Sequence, residues 1–279
     1  MATPLDFHVH PSTAEYLTGS LGAFVDDLRD HFRLSVEVRS VDQMAADYEG
    51  MRGVLLAWDA ETGTGRPAVT NDWVAGVCAR YPDRFIPFAS VDPWKGEAAI
   101  AEARRAVREL RMRGFKFHQA AMAFSPADQR FFPLWEEIQS LGVPALFHVG
   151  TTGLGAGTPG GGHMQLEYVR PIHLDTLGAN FPDLAIVAAH PAFPWQLEMN
   201  AIALHKRNVH IDLSGWAPRY FAPELVREVG GRLQDKALFG TDYPFISPER
   251  WLREFRALGL DEAVVDKVLY RNAERLLGI

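Results

Sequence analysis

The chain has 279 residues, of which 47% are hydrophobic and 23% charged, a composition ordinary for a globular protein and sufficient for a large core. A net charge of −7 argues against nucleic acid as a general partner, because contact with phosphate backbones needs a basic face. A single cysteine, Cys78, excludes an internal disulfide framework. The sequence has no run of about 18 apolar residues, so no membrane span is predicted. Since the N-terminus lacks the basic and apolar regions of a signal peptide, a cytoplasmic location is expected.

Short apolar runs rich in Val, Ile and Phe alternate with longer helix-like segments. The runs predict eight strands, at residues 5–10, 53–59, 85–93, 114–120, 144–150, 185–190, 208–215 and 237–245. Helices are predicted between them, for example over 96–113, 131–142 and 222–234. Eightfold strand–helix alternation predicts a parallel sheet closed into one (β/α)₈ barrel spanning 1–279. An open doubly wound sheet is the alternative, but the glycine-rich phosphate turn expected after its first strand is missing.

Glycines mark two kinds of position in this pattern. Gly114 and Gly142 follow predicted helices, where a left-handed residue is wanted at the end of the helix. Residues 151–165 (TTGLGAGTPGGGHMQ) follow the fifth strand and predict a long loop at the C-terminal mouth of the barrel. This loop is either a lid over a substrate or a flexible surface excursion.

Histidines concentrate on the predicted strands. His10, His148 and His190 fall at or near C-terminal strand ends, where barrel enzymes build their active sites. His8 and His10 are two residues apart on one strand, so their side chains leave the same face and are able to share one metal ion. An isolated His-x-His pair is usually packing, but its convergence with later strand ends favours a metal site.

Asp242 ends the apolar eighth strand, in LFGTDYPF. An aspartate after a strand is usually a helix cap or a turn residue. In a closed barrel, however, strand eight lies beside strand one, which places this carboxylate near His8 and His10. There it is able to bind the metal, to take a proton, or to do both. His190 is either a further ligand or, as we prefer, the residue that polarises the substrate and shuttles protons.

Lys116 and His118 point to the same face of the fourth strand, opposite to Phe115 and Phe117. Lys116 is interpreted as a point charge for a substrate carboxylate or phosphate. The alternatives are a carboxylated lysine that bridges two metal ions and a buried ion pair with Asp92 or Asp212. His118 is interpreted as a substrate contact, with core packing as the alternative.

Aromatic side chains follow several strands near the predicted mouth. They predict an apolar wall for an aromatic or acyl substrate, although each alone is more often a packing residue. The set consists of Trp58, Trp195, Trp216 and Tyr243, of which Trp195 and Trp216 are taken as substrate-binding residues.

Five motifs carry a resemblance to a known family. DFHVH, GFKFH, LFHVG, AAHPAFPW and LFGTDYPF resemble the motif strands of the amidohydrolase-related family that contains the aminocarboxymuconate-semialdehyde decarboxylase-like enzymes. YPDRFIPFASVDP and LYRNAERLLG extend the resemblance to nearly the whole chain.

The resemblance implies a metal-dependent barrel enzyme that acts on a small-molecule substrate, and the matching motifs assign its site residues. His8, His10, His148 and Asp242 would bind one divalent metal ion, and His190 would be catalytic together with Asp242. Zn²⁺ is the expected ion, with Mn²⁺ and Fe²⁺ as alternatives. A homodimer is compatible with the resemblance.

Two reactions use this ligand set. GFKFH, the glycine loop and LSGW resemble a narrower group of 4-hydroxyphenyl-β-ketoacyl-CoA hydrolases in aromatic-compound catabolism, so hydrolysis by a metal-activated water is expected. Non-oxidative decarboxylation of an aromatic or muconate-type acid is the alternative. A non-catalytic binding barrel is a third hypothesis, which the intact ligand set disfavours.

Overall fold

Strands and helices alternate along the chain as the apolar pattern predicts. The computed structural model describes residues 3–33 and 35–279. The strands are β1 Leu5–Val9, β2 Arg52–Leu56, β3 Phe85–Phe88, β4 Phe115–Phe117, β5 Ala145–His148, β6 Ile186–Ala189, β7 Val209–Asp212 and β8 Ala237–Leu238.

Helices cover the outside of the strands and fill the connections. The α-helices are α1 Phe24–Phe32, α2 Val41–Asp47, α3 Glu61–Thr64, α4 Asn71–Arg80, α5 Glu97–Arg108, α6 Gln119–Met122, α7 Phe132–Leu141, α8 Ile172–Asn180, α9 Gln196–His205, α10 Pro223–Val229, α11 Pro248–Arg256, α12 Glu262–Asp266 and α13 Asn272–Leu277. Two π-helices, Glu15–Leu21 and Lys267–Arg271, and short 3₁₀ turns complete the connections. No helix in the described part of the chain is long and apolar enough to cross a membrane.

Parallel strands in sequential order form the barrel. One sheet has the order β1-β2-β3 and the other β4-β5-β6-β7-β8. A parallel bridge between Ala89 and Phe115 joins the two sheets, and one between Val9 and Tyr243 closes the circle. The backbone nitrogen of Phe7 also donates to the carbonyl of Phe239 at 2.7 Å. The predicted (β/α)₈ barrel is therefore confirmed.

Apolar side chains pack on both faces of the strands, one layer outside the barrel and one inside it. Alternate strand residues face the helices, as Phe117 does with its T-shaped contact to Trp135 at 5.0 Å. The others fill the barrel below the mouth: Leu5, Phe7, Val54, Leu56, Ile86, Phe88, Leu146, Val187, Ala189 and Leu238. The polar site lies above this apolar floor.

Strand β1 breaks the strict alternation of faces. Its pairing with β2 shifts register between Asp6 and Val9. Phe7 consequently belongs to the apolar floor, while His8 and His10 reach the site above it. The shared face predicted for the two histidines is present.

Strand and helix ends differ from the sequence prediction. The predicted strands run on to the site residues, but β8 ends at Leu238, four residues before Asp242, and β4 ends just before His118. Helix α5 ends at Arg108, so Gly114 is not a helix terminus. A Cβ at Gly114 would lie 2.4 Å from the ring of Phe88, which explains the glycine by packing. Gly142 does end α7 in the left-handed conformation, with a φ of 67°.

Candidate active site

Five buried histidines gather at the C-terminal ends of β1, β4, β5 and β6. Their rings form a chain of contacts, with centroids 5.1 Å apart for His8 and His10, 5.0 Å for His8 and His190, 4.6 Å for His190 and His148, and 4.0 Å for His148 and His118. The structure thus brings together the histidines that the sequence placed at separate strand ends.

Asp242 joins this cluster from the loop after β8. Its Oδ1 lies 3.3 Å from His8 Nε2 and 3.5 Å from His10 Nε2, and the two Nε2 atoms are 3.3 Å apart. Three mutually close nitrogen and oxygen donors fit a divalent transition ion.

His190 lies close to the same donors. Donor atoms of His8, His190 and Asp242 lie within 4.8 Å of one another. His190 Nε2 is also 3.0 Å from His148 Nδ1. The geometry therefore places His190 beside the predicted ligands and leaves both its predicted role in catalysis and its alternative role as a ligand open.

His8 is oriented by a buried carboxylate on β7. Its Nδ1 lies 2.6 Å from Asp212 Oδ2 and 2.9 Å from Ser214 Oγ. Donation from Nδ1 leaves the lone pair on Nε2, which faces His10 and Asp242. Histidines that bind metals are commonly fixed by a carboxylate in this way.

A second buried carboxylate, Asp6, joins the start of β1 to the loop after β8. It accepts hydrogen bonds from Thr241 N at 2.9 Å, Thr241 Oγ1 at 2.5 Å and Tyr48 Oη at 2.8 Å. Asp242 N donates to the carbonyl of His8 at 3.0 Å. These bonds fix the loop that carries Asp242, whose φ of 65° is unusual for a residue other than glycine.

Burial controls the charges in the site. It lowers the pKa of His8, His10, His118 and His148 well below the ordinary value, and that of His190 to about 3. The nearby positive charge of Lys116 contributes to each of these shifts. The imidazoles are therefore neutral at pH 7 and have lone pairs free to bind a metal.

Asp242 is shifted in the opposite direction. Burial raises the pKa of its carboxyl group to about 7, although the charge of Lys116 counteracts the rise. In the absence of a bound cation, this carboxyl group is able to hold a proton near neutral pH.

Lys116 lies on β4 with its side chain 1% exposed. Its Nζ has no hydrogen-bond partner among the described residues. Asp212 binds Ser214 and His8, and Asp92 accepts from Thr62 N and Trp94 N, so the buried ion pair considered for Lys116 is absent. Burial lowers the pKa of Lys116, and the charges of Asp242 and Asp212 counteract this.

His118 follows Lys116 and points into the same space. Its ring stacks on His148 and lies 5.3 Å from the ring of Trp58. Its Nε2 is 3.2 Å from Thr152 Oγ1, in the glycine-rich loop predicted at the mouth. The loop therefore contacts the site directly.

Of the four aromatic residues chosen on the sequence, Trp58 contacts the histidine cluster, where Tyr16 joins it. Trp58 lies 5.8 Å from His10 between ring centroids, and Tyr16 stacks on His10 at 4.7 Å. Trp216 instead packs on Phe193 at 5.4 Å, and Trp195 lies under the guanidinium of Arg170. The substrate-binding roles of Trp195 and Trp216 stay predictions.

Sequence reasoning missed Tyr16 and Ser214, and it named Asp212 only as an ion-pair partner for Lys116. Tyr16 lies on a π-helix that no apolar period indicates. The alternating polar residues of IDLSGW, at the end of a strand, were a usable indication for Asp212 and Ser214.

The barrel and the His/Asp cluster at its mouth define an enzyme of the amidohydrolase type. The chain belongs to the Amidohydrolase family, whose model matches residues 5–279.

Curated and solved proteins resemble the chain over most of its length. The gamma-resorcylate decarboxylase of Rhizobium radiobacter is 27% identical over 74% of each chain. An uncharacterised TIM-barrel protein of Bordetella bronchiseptica, 23% identical, superposes with a TM-score of 0.81 over 99% of this chain and 98% of its own. A dihydroxybenzoic acid decarboxylase of Polaromonas, solved with manganese and 2-nitroresorcinol, gives 0.69 at 21% identity over 100% of this chain and 97% of its own. The two structures share the fold.

The expectation of a hydrolase is wrong. The curated relatives are decarboxylases, which favours the stated alternative. The error has a physical reason. The same imidazoles and carboxylate serve both reactions, and neither the GFKFH strand nor the glycine loop determines whether water or the substrate carboxylate meets the metal.

Proposed function

We propose that the chain is a metal-dependent, non-oxidative decarboxylase of a small hydroxylated aromatic acid. The names of its curated relatives support the reaction class. The observation in the site that carries the proposal is the buried Asp242 carboxyl group, an acid whose Oδ1 lies 3.3 Å from His8 Nε2 and 3.5 Å from His10 Nε2. Decarboxylation replaces a carboxylate on carbon by a proton, so it needs such a donor.

One divalent metal ion would be held by His8, His10, His148 and Asp242. Mn²⁺ is the preferred candidate because of the manganese in the Polaromonas neighbour, and Zn²⁺ remains an alternative. When bound, the ion supplies positive charge that orients the substrate's carboxylate and ring oxygen. The neutral imidazoles and the Asp212 contact of His8 fit this role.

Asp242 and His190 would divide the contacts with the reacting atoms. The neutral His190 accepts a hydrogen bond from a ring hydroxyl, which draws the proton toward nitrogen and enriches the ring in electrons. Asp242 gives its proton to the carbon that bears the carboxylate. The bond from that carbon to the carboxylate then breaks, its electron pair returns to the ring, and CO₂ leaves. The ring hydroxyl keeps its proton, and Asp242 is reprotonated from solvent.

Lys116, His118 and the aromatic side chains would bind the substrate. The unpartnered ammonium of Lys116 suits a second anionic or hydroxyl group of the ring. His118 provides a neutral contact, and Trp58 with Tyr16 provides aromatic surface. Trp195 and Trp216 would act further out.

Isotope labelling tests the reaction. Protein loaded with Mn²⁺ or Zn²⁺ is incubated with 2,6-dihydroxybenzoate and related hydroxybenzoates, and CO₂ release is measured. In D₂O the product should gain one deuterium at the carbon that carried the carboxylate. Incorporation of oxygen from labelled water into a product acid would contradict the proposal.

A further inference from the structure

Ser214 lies between the two imidazoles with the most distinct proposed roles. Its Oγ is 2.9 Å from His190 Nδ1 and 2.9 Å from His8 Nδ1. The same oxygen lies 2.8 Å from Asp212 Oδ2, and Ser214 N donates to Asp212 Oδ1 at 3.0 Å. One fully buried hydroxyl group therefore touches both rings and the carboxylate.

Counting protons assigns a direction to each of these bonds. Burial raises the pKa of Asp212, but its Oδ1 accepts from Ser214 N at 3.0 Å, and Ser214 Oγ and His8 Nδ1 approach its Oδ2 at 2.8 Å and 2.6 Å, which is the donor arrangement around an ionised carboxylate. An ionised carboxylate only accepts, so the single hydroxyl proton of Ser214 lies toward Asp212 and the lone pairs of Oγ face the two rings. The one N–H of His8 Nδ1 lies between Asp212 Oδ2 and Oγ, and the one N–H of a neutral His190 lies on Nδ1.

We propose that Ser214 is a positioning residue that fixes the tautomer of His190. With Nδ1 protonated, His190 Nε2 presents a lone pair toward His148 Nδ1, 3.0 Å away, and His148 Nδ1 donates. The opposite order would need His148 Nε2 to donate to the Thr151 carbonyl, but that contact is 3.4 Å long and is the weaker of the two. At Nε2, His190 is then able to accept a hydrogen bond but not to donate a proton, which leaves donation to Asp242. The inference rests on the proposed function for its catalytic consequence and on the hydrogen bonds alone for the tautomer.

The backbone around Ser214 is shaped for this contact. A Cβ at Gly215 would lie 2.5 Å from His190 Nδ1, so the ring packs directly against the chain there. His190 itself has a φ of 75°, which is unusual for a residue other than glycine. The ring therefore has little room to turn toward another acceptor.

Nitrogen NMR of histidine-labelled protein tests the tautomer directly. Metal is removed by chelation, retention of the fold is checked by circular dichroism, and His190→Asn assigns the His190 resonances. We expect a protonated Nδ1 and an unprotonated Nε2 at neutral pH. In Ser214→Ala the ring should shift toward protonated Nε2, and in Ser214→Thr, which keeps the hydroxyl group, the native tautomer should return.

Kinetics with metal-loaded protein gives the second readout. Ser214→Ala should lower kcat by about 10–100-fold with little change in KM, and Ser214→Thr should recover much of it. Ser90→Ala is the matched control, because Ser90 Oγ is equally buried at the mouth but donates to the carbonyl of Lys116 at 3.0 Å. It should change neither the tautomer nor kcat.

Two results would overturn the inference. One is a native His190 with its proton on Nε2, and the other is a Ser214→Ala protein whose His190 keeps the native tautomer. If no hydroxybenzoate is decarboxylated but the spectra behave as expected, the proposed function fails while the role of Ser214 stands.

Discussion

Two sides of the site differ in how far their polar groups are satisfied. On the side of β7, Asp212, Ser214 and His8 bind one another at 2.6–2.9 Å. On the side of β4, Lys116 ends in a buried ammonium group without a partner in residues 3–33 and 35–279. An unpaired buried charge is costly. The side of β7 is therefore fully hydrogen-bonded within the protein, whereas Lys116 on the side of β4 is suited to bind an anionic or hydroxyl group of a ligand.

This difference separates two demands on the protein. A metal ligand must point in one direction before the ion arrives, and the paired side provides that order. A substrate group that binds a protein side chain must first displace the partners of that side chain. The ammonium group of Lys116 has no such partner in the described part of the chain, so no contact is lost when the substrate binds. Substitutions on the two sides should consequently affect different measurable quantities.

Asp242, between the two sides, should give the largest effect. Asp242→Asn keeps an oxygen donor but removes the acid, so kcat should fall by about 10²–10⁴-fold while part of the metal is retained. Metal content and CO₂ release are measured on the same preparation. His190→Asn serves as the companion variant and should also retain metal and lose rate. A metal-replete Asp242→Asn protein with nearly normal kcat would remove Asp242 from proton transfer. Loss of metal from His190→Asn would make His190 a ligand.

The paired side should control metal affinity. Asp212→Asn weakens the bond that orients His8, and affinity for Mn²⁺ or Zn²⁺ should fall by about 10–100-fold. Titration of the chelated protein measures it. Asp92→Asn is the control, because Asp92 is equally buried but accepts from the backbone nitrogens of Thr62 and Trp94. Equal losses of affinity in both variants would mean that the effect is general destabilisation.

The unpaired side should control substrate affinity. Lys116→Met should raise KM for a dihydroxybenzoate by about tenfold and change metal affinity little. The native KM should rise as pH increases through the lowered pKa of Lys116, because the ammonium form is the one that binds. A KM of Lys116→Met equal to the native value at every pH would exclude this role.

The same variant should be more stable than the native protein. Burial lowers the pKa of Lys116 to about 8 in the folded protein, whereas the unfolded chain has the ordinary lysine pKa of 10.5. Between these two values the unfolded chain binds more protons, so the free energy of unfolding should increase as pH rises from about 8 to 10.5. Lys116→Met removes this dependence and should raise Tm at neutral pH, as measured by thermal unfolding of metal-free protein. A lower Tm would indicate that the lysine is satisfied within the protein.

The aromatic wall should give the smallest effect. Trp58→Leu removes the ring beside His10 and His118, and KM should rise about two- to tenfold. Trp195→Leu, whose ring lies with Arg170, should change KM less than twofold. A reversed order of the two variants would support the substrate-binding role that the sequence analysis gave to Trp195.

Much of the fold and part of the site followed from local pattern. Strand–helix alternation gives the barrel, and closure of β8 on β1 brings Asp242 to His8 and His10 without any long-range information. Ser214 was missed, and Asp212 was considered only as a partner for Lys116, because their role depends on which ring lies across the barrel, and no spacing within β7 reveals that. Tyr16 was missed because an irregular helix carries it.

The reaction was the part that local pattern decided wrongly. His8, His10 and Asp242 are the same in a hydrolase and in a decarboxylase, so their presence carries no information about the bond that breaks. That information lies in which substrate atoms reach Asp242, and it depends on side chains from several loops at once.

The register shift in β1 gives this strand an extra inward position. Asp6 and Val9 both face the helices although they are three residues apart, so Phe7, His8 and His10 all turn inward within four residues. In a regularly pleated strand the side chains alternate strictly between two faces, so Phe7 could not fill the apolar floor while His8 and His10 lie in the site above it. Deletion of one residue at this position would turn the preceding side chains of β1 to the opposite face. We therefore expect β1 to tolerate insertions and deletions far less than the other strands do.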